Sequence, residues 1–261
     1  MKRIVTANTE KGMIVKKFNN IVIFPFVAAI VVLAPTAVHA MHISEGILPL
    51  PWAAFWFVLS VPFVFWGLRT LRVRSEKEPY IKPFVGLVGA AVFVISCMPI
   101  PVPTAGTCSH PCATGIAAIL IGPSLTVVVA SIALVLQALF LAHGGLTTLG
   151  ADIFSMGVAG AFVGYGVFLL AKRMGAPPIV AAFLAGILSD WATYAVTSLA
   201  LGAALHADGS FGAMFFTILL AFVPTQVPLG ILEGFLCAGA YRLVHNRRPE
   251  FLGVLAKGDA L

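Results

Sequence analysis

Apolar residues dominate this chain in long, uninterrupted runs. They lie at about 52–68, 84–99, 113–142, 152–171, 178–204 and 214–241, joined by short connections. Runs of roughly 17–25 apolar residues are what a helix needs to cross about 30 Å of hydrocarbon. None of these runs alternates in the manner of a strand, and only helices and closed barrels satisfy their own backbone in lipid. The pattern therefore predicts an all-α integral membrane protein, one helical domain with no soluble module, and sets strands aside.

The third run departs from the others in length. Its thirty residues are interrupted near the middle by Gly122-Pro123-Ser124, so it is read either as one long tilted helix or as two short passes. Charge decides between them. Arg69, Arg72, Arg74, Lys77 and Lys82 follow the first run, Lys172 and Arg173 the fourth, and Arg242, Arg247 and Arg248 close the last. Basic loops face the cytoplasm. Two passes over 113–142 give about seven transmembrane helices in the mature chain and bring all three basic clusters to one side. A single pass would leave the C-terminal arginines outside.

Composition agrees with the membrane reading: 60% of the 261 residues are hydrophobic and only 10% charged. A soluble domain carries about 25% charged residues, so this chain could not cover a globule. The net charge of +6 is accounted for by the inter-helix clusters, and no nucleic-acid partner is inferred from it. Four cysteines (Cys97, Cys108, Cys112 and Cys237) are too few for a disulfide framework.

The first forty residues read as a targeting segment. Lys2, Arg3, Lys11, Lys16 and Lys17 form a basic start, an apolar stretch runs from about Ile21 to Leu33, and Val38-His39-Ala40 has small residues where signal peptidase requires them. Residues 1–40 are thus a signal peptide or an upstream extension, with translation starting at Met41. Residues 41–250 form the transmembrane domain and 251–261 a cytoplasmic tail. Either origin makes Met41 residue one of the mature chain, facing outwards on the cell inner (plasma) membrane.

A free N-terminus followed by histidine is a chelating unit. The Met41 α-amine, the deprotonated His42 amide and the His42 δ nitrogen close adjacent five- and six-membered rings, leaving one in-plane position. Such a planar nitrogen set favours Ni(II) or Cu(II) over Zn(II), and its binding weakens in acid because protons must leave. The polar stretch 99–112 falls on the same outer side, and its His110 is the natural fourth donor. Taken singly, each histidine is equally an interface anchor or a hydrogen-bond donor. Cys108 and Cys112 flank His110 as soft ligands or a redox pair; their spacing suits one helix face, although Pro111 lies between them. His143 is either a transit ligand or a loop-packing residue. Asp190 and Glu233, acids within apolar helices, are costly unless paired; Tyr194, Thr193, Gln226, each other and a partner subunit are the available partners.

Met41-His42-Ile43-Ser44-Glu45-Gly46-Ile47-Leu48-Pro49 resembles the start of the cobalt/nickel substrate-binding membrane subunit (CbiM/NikM family, S component) of energy-coupling-factor transporters. Further similar stretches are Gly106–Pro111, Ala118–Ser124, Gln137–Ala151 and Asp190–Ser198, so the resemblance covers essentially all of 41–250. It implies a seven-helix fold and a metal held by Met41, His42 and His110. It implies an ATP-driven cobalt importer feeding cobalamin synthesis, with nickel as the alternative ion. Co(II) or Ni(II) is then the transported substrate, and no prosthetic group is expected. The partners implied are a transmembrane coupling subunit, cytoplasmic ATPase subunits and a small accessory membrane subunit. Two features depart from the family pattern: the forty-residue extension, and Cys112-Ala113 where the cobalt branch carries small polar residues. No Walker-type glycine loop is present, so the chain is a transporter subunit and not itself an ATPase. Two other classes fit some of the residues: a membrane thiol oxidoreductase using Cys108 and Cys112, and a proton-driven secondary transporter using Asp190 or Glu233.

Overall fold

The computed structural model describes residues 42–98, 100–102, 107–141, 143–207 and 209–252. The targeting segment, Met41, the side chains of His42 and Cys108, and the tail beyond Leu252 lie outside the described residues. Seven helices are present among those described: α1 (Leu50–Lys77), α2 (Ile81–Ser96), α3 (Thr114–Ile121), α4 (Pro123–Phe140), α5 (Leu149–Arg173), α6 (Pro178–Leu205) and α7 (Phe211–Arg247). Five of them, α1 and α4–α7, are long and apolar enough to cross a membrane, and α2 is a shorter apolar helix.

Local chemistry marks the ends. Proline stands in the first turn of α1, α4 and α6, where its missing N–H has no helical partner to lose. Basic residues close α1 (Arg74, Lys77), α5 (Lys172, Arg173) and α7 (His245, Arg247), opposite the negative end of each helix dipole. The interruption predicted at Gly122-Pro123-Ser124 separates α3 from α4. Gly122 has φ +91° and ψ 158°, a conformation almost confined to glycine.

Contacts along the helices fix their directions. The Arg74 Nη1 donates to the Ile121 carbonyl at 3.1 Å, so α3 ends beside the basic end of α1. The Gln137 Nε2 donates to Ser96 Oγ at 2.7 Å, so α4 returns to the end of α2. Ser60 Oγ in the first half of α1 donates to the Gly150 carbonyl at 2.7 Å, which starts α5 at the opposite end from Arg74. α5 contains a π-helical segment, Ile153–Gly160, directly after Asp152. α6 and α7 pack closely because Gly186 has no side chain: a Cβ there would stand 2.9 Å from the Cys237 Cβ. Lipid tails are as apolar as the helices, so such close approach is a main source of helix adhesion in membranes.

Strands were set aside on the apolar pattern, and here the structure differs. Three short strands, β1 (His42–Ile43), β2 (Ile100–Val102) and β3 (Thr107–Ser109), form an antiparallel sheet in the order β1-β3-β2. They lie within the polar segments between helices, which the apolar pattern does not read. Cys108 and Cys112 do not share a helix face either: Cys108 belongs to β3 and Cys112 to the irregular stretch before α3.

Candidate metal-capture site

The sheet joins the start of the described chain to the loop that follows α2. His42 pairs with Cys108 and Ile43 with Thr107, which leaves His110 two residues beyond the strand partner of His42. On its other edge β3 holds β2, with Ile100 opposite Ser109 and Val102 opposite Thr107.

Beyond β3 the loop is fastened by polar side chains from α6 and α7. The His110 N–H donates to the Tyr194 hydroxyl at 2.8 Å, and that hydroxyl lies 3.1 Å from the His110 carbonyl. Ser109 Oγ donates to Thr225 Oγ1 at 3.0 Å and receives a hydrogen bond from the Gln226 Nε2. The Glu233 carboxylate accepts the Cys112 N–H, and at 3.1 Å the Ala113 N–H. Ala113 sits at φ +56°, a left-handed conformation that disfavours a β-carbon and is retained here because both neighbouring amides are held. These contacts satisfy backbone groups that would otherwise be unpaired away from water.

His110 is buried, with 1% of its surface exposed. Its Nδ1 lies 3.0 Å from the Pro111 carbonyl. A carbonyl only accepts, so Nδ1 carries the proton and Nε2 is the nitrogen with the lone pair. Fixing the tautomer through the other ring nitrogen is the usual arrangement for a ligating histidine. Burial lowers the His110 pKa to about 4, partly offset by the bond to Pro111, so the imidazole is neutral at physiological pH.

A second set of contacts holds Ile43. Its N–H donates to Asp152 Oδ1 at 3.3 Å, and its carbonyl accepts from Thr148 Oγ1 at 2.8 Å. Asp152 is 3% exposed and also faces Thr148 Oγ1, at 3.2 Å. Glu45 accepts hydrogen bonds from the N–H and the hydroxyl of Thr147. The stretch before α5 is thereby laid over the start of the chain. His143 belongs to it: its N–H donates to the Gln137 carbonyl at 3.2 Å, while its buried Nε2 has no hydrogen-bond partner. Burial, and after it the nearby His110, lower the His143 pKa to about 4.

Residues 42–251 match the family described as "Cobalt uptake substrate-specific transmembrane region", CbiM. The chain belongs to that family. A "Cobalt transport protein CbiM" of Sorangium cellulosum (strain So ce56) is 63% identical over 212 residues, covering 81% of this chain and 94% of that protein. A protein of the same name from Geobacter sulfurreducens is 58% identical over 222 residues, 85% of this chain and 64% of that longer relative. A crystal structure titled as a transition metal transporter superposes with a TM-score of 0.70 at 24% identity, covering 82% of this chain and 98% of that one; it bears on the fold alone. With its five long apolar helices, this CbiM-family chain is a multi-pass membrane protein of cobalt uptake.

Several assignments left open by the sequence can be stated against this geometry. Glu233 bonds backbone amides of the His110 loop and also meets the Asp190 carboxyl, one of the partners considered for it. Cys112 is 0% exposed, whereas a redox-active thiol needs access as well as a stabilised thiolate. Asp152 and Thr148 were not singled out at all. An acid at the edge of an apolar run is a functional flag in membranes, and that flag was available at Asp152.

Proposed function

We propose that this chain is the substrate-capturing membrane component of an ATP-driven cobalt importer. In this reading Co(II) is held by the Met41 amine, the His42 amide and imidazole, and the His110 imidazole, reached from the outer side. The observation that carries it is the pairing of β1 with β3. A two-residue strand at the start of the described chain gains little by itself, yet it is hydrogen-bonded beside the His110 loop and tied again by Asp152 and Thr148. The chain start is held as a positioned group.

The seven helices are read as seven passes, the mature N-terminus lying outside and the basic ends of α1, α5 and α7 inside. In support, α1 and α3 end together at Arg74 and Ile121. The segment 1–40 is removed or never translated, because an acylated nitrogen at Met41 is no longer an amine donor. Energy comes from cytoplasmic ATPase subunits through a transmembrane coupling subunit, with a small accessory subunit beside them, and the cobalt serves cobalamin synthesis. The similarity to proteins named for cobalt transport favours Co(II) over Ni(II), which the planar donor set would also accept.

The test compares a chain beginning at Met41 with one carrying a single extra residue before it. Bound cobalt, measured by elemental analysis after equilibrium dialysis, should be lost from the outer site in the extended chain. Equal occupancy of that site in both would overturn the ligand assignment.

A further inference from the structure

Beneath the capture loop lies a second cluster of ligating groups. The Cys112 Sγ and carboxylate oxygens of Asp190 and Glu233 all lie within 4.8 Å of one another. They are exposed by 0%, 0% and 1% and come from three separate parts of the chain: the loop, α6 and α7. Among the described residues, both Asp190 oxygens are buried without a partner of full hydrogen-bond geometry, and the Glu233 carboxyl and the Cys112 thiol face them. Glu233 is oriented towards the same spot by the Cys112 and Ala113 amides. The salt bridge found among the described residues, Arg74–Glu78, lies elsewhere, at the end of α1.

Two buried carboxylates this close oppose each other's ionisation, and an unpaired charge at membrane depth is expensive. A divalent cation among them would offset two anionic charges, one of them on the thiol drawn into its thiolate form. Thiolate sulfur binds such an ion at about 2.3 Å and carboxylate oxygen at about 2.0–2.2 Å, so tetrahedral ligand atoms stand roughly 3.5 Å apart. Contraction by about 1 Å would bring the present cluster to that geometry.

We propose that Cys112, Asp190 and Glu233 form a second, inner binding site for a divalent transition-metal ion, one that takes the ion onward from the His110 loop. Its mixed sulfur–oxygen donor set suits a tetrahedral ion, Co(II) or Zn(II), whereas the planar all-nitrogen outer set disfavours Zn(II). Binding displaces the Cys112 thiol proton to solvent and leaves one proton on the carboxyl pair, so that the thiolate and one carboxylate balance the ion's two charges. The role as an onward station rests on the capture function proposed above; the existence of the site does not.

The experiment titrates the purified chain beginning at Met41 with cobalt(II) chloride under anaerobic conditions, following bound metal per chain, the thiolate-to-cobalt charge-transfer absorption, and cobalt–sulfur scattering by X-ray absorption. Two ions per chain are expected, one with a sulfur ligand. Cys112→Ser and Asp190→Asn should each reduce the count to one, Cys112→Ser abolishing the sulfur signal, while Cys108→Ser preserves it. With an extra residue before Met41, the sulfur-ligated ion should remain and the other be lost. One ion per chain without sulfur ligation in the unaltered protein, a reading that needs no variant to fold, would overturn the inner site. So would a sulfur signal that depends on Cys108 and persists in Cys112→Ser. If the extra residue left both ions bound, the capture assignment would fall and the inner site would stand.

Discussion

Replacing Asp152 by alanine removes the side chain that holds the Ile43 amide at the start of the described residues. Ile43 is 0% exposed, so its N–H, now donating to Asp152 Oδ1, would be left buried without that acceptor. Stranding a buried donor costs about 1–3 kcal/mol, which corresponds to roughly 5- to 150-fold in an equilibrium constant. The tether would be weakened but not abolished, because Thr148 Oγ1 still donates to the Ile43 carbonyl. Since the chain start is the proposed chelating unit, the loss should appear as weaker Co(II) capture. Isothermal titration with cobalt(II) chloride on the chain beginning at Met41 reads it directly. Asp152→Asn keeps an acceptor oxygen and should stay within about fivefold of the unaltered protein, by the same conversion. If Asp152→Ala retained its helical circular dichroism and bound cobalt as tightly as before, the idea that this tether positions the capture site would be refuted.

Three other outcomes follow from the same contacts. His110→Ala should remove most high-affinity cobalt binding, whereas His143→Ala, whose Nε2 is buried nearby without a partner, should cost less; dialysis followed by elemental analysis ranks them. A His110 pKa depressed from 6.5 to about 4 means the folded state resists a proton that the unfolded chain accepts. Stability is therefore intact above pH 6.5 and falls as pH drops towards 4, by about 3 kcal/mol at most for 2.5 units. His143, lowered similarly, acts in the same window, so thermal melts of the metal-free protein should fall over that range, and less steeply in His110→Gln. Gly186→Val would force a β-carbon to within 2.9 Å of the Cys237 Cβ and 2.6 Å of the Glu233 carbonyl oxygen. Overpacking of this kind costs about 1–3 kcal/mol, visible as a lowered melting temperature in detergent, whereas Gly239→Val, with nothing near its Cβ position, should be tolerated.

The helices were legible because each is a long local signal: an apolar run, a proline in the first turn, basic residues after the last. The break at Gly122 was legible for the same reason, since glycine and proline together interrupt a helix wherever they stand. The sheet was not. Its strands are two or three residues long, too short for any alternation to register, and β1 and β3 lie more than sixty residues apart in sequence. Glu233 shows a related gap: its contact with Asp190 was among those expected, but the backbone amides that hold it were not, because an amide carries no residue identity to read. The pairing of His42 with the His110 loop was expected from shared sidedness and the family resemblance. Asp152 and Thr148, which hold the paired strand in place, were hidden because the run beginning at 152 was read as a span and nothing more.

The shortness of α3 bears most directly on where a captured ion would sit. Eight residues at 1.5 Å each reach only about 12 Å, far less than the roughly 30 Å of hydrocarbon. Yet α3 ends level with Arg74, at the basic end of α1. In the seven-pass reading proposed above, the balance of the depth is made up by the irregular chain before it, the stretch containing His110, Cys112 and Ala113. That chain is held by Tyr194 and Glu233, which lie well inside α6 and α7 rather than at their ends. All eight residues of α3 are buried, so its surroundings are protein and not lipid. Non-helical backbone is tolerated at such depth only when protein encloses it and satisfies its polar groups, which Tyr194 and Glu233 do here. A full-length helix in this position would have carried His110 out to the surface. Stopping it short lets the loop descend, and the histidine with it, to a place where a bound ion would already be part-way across.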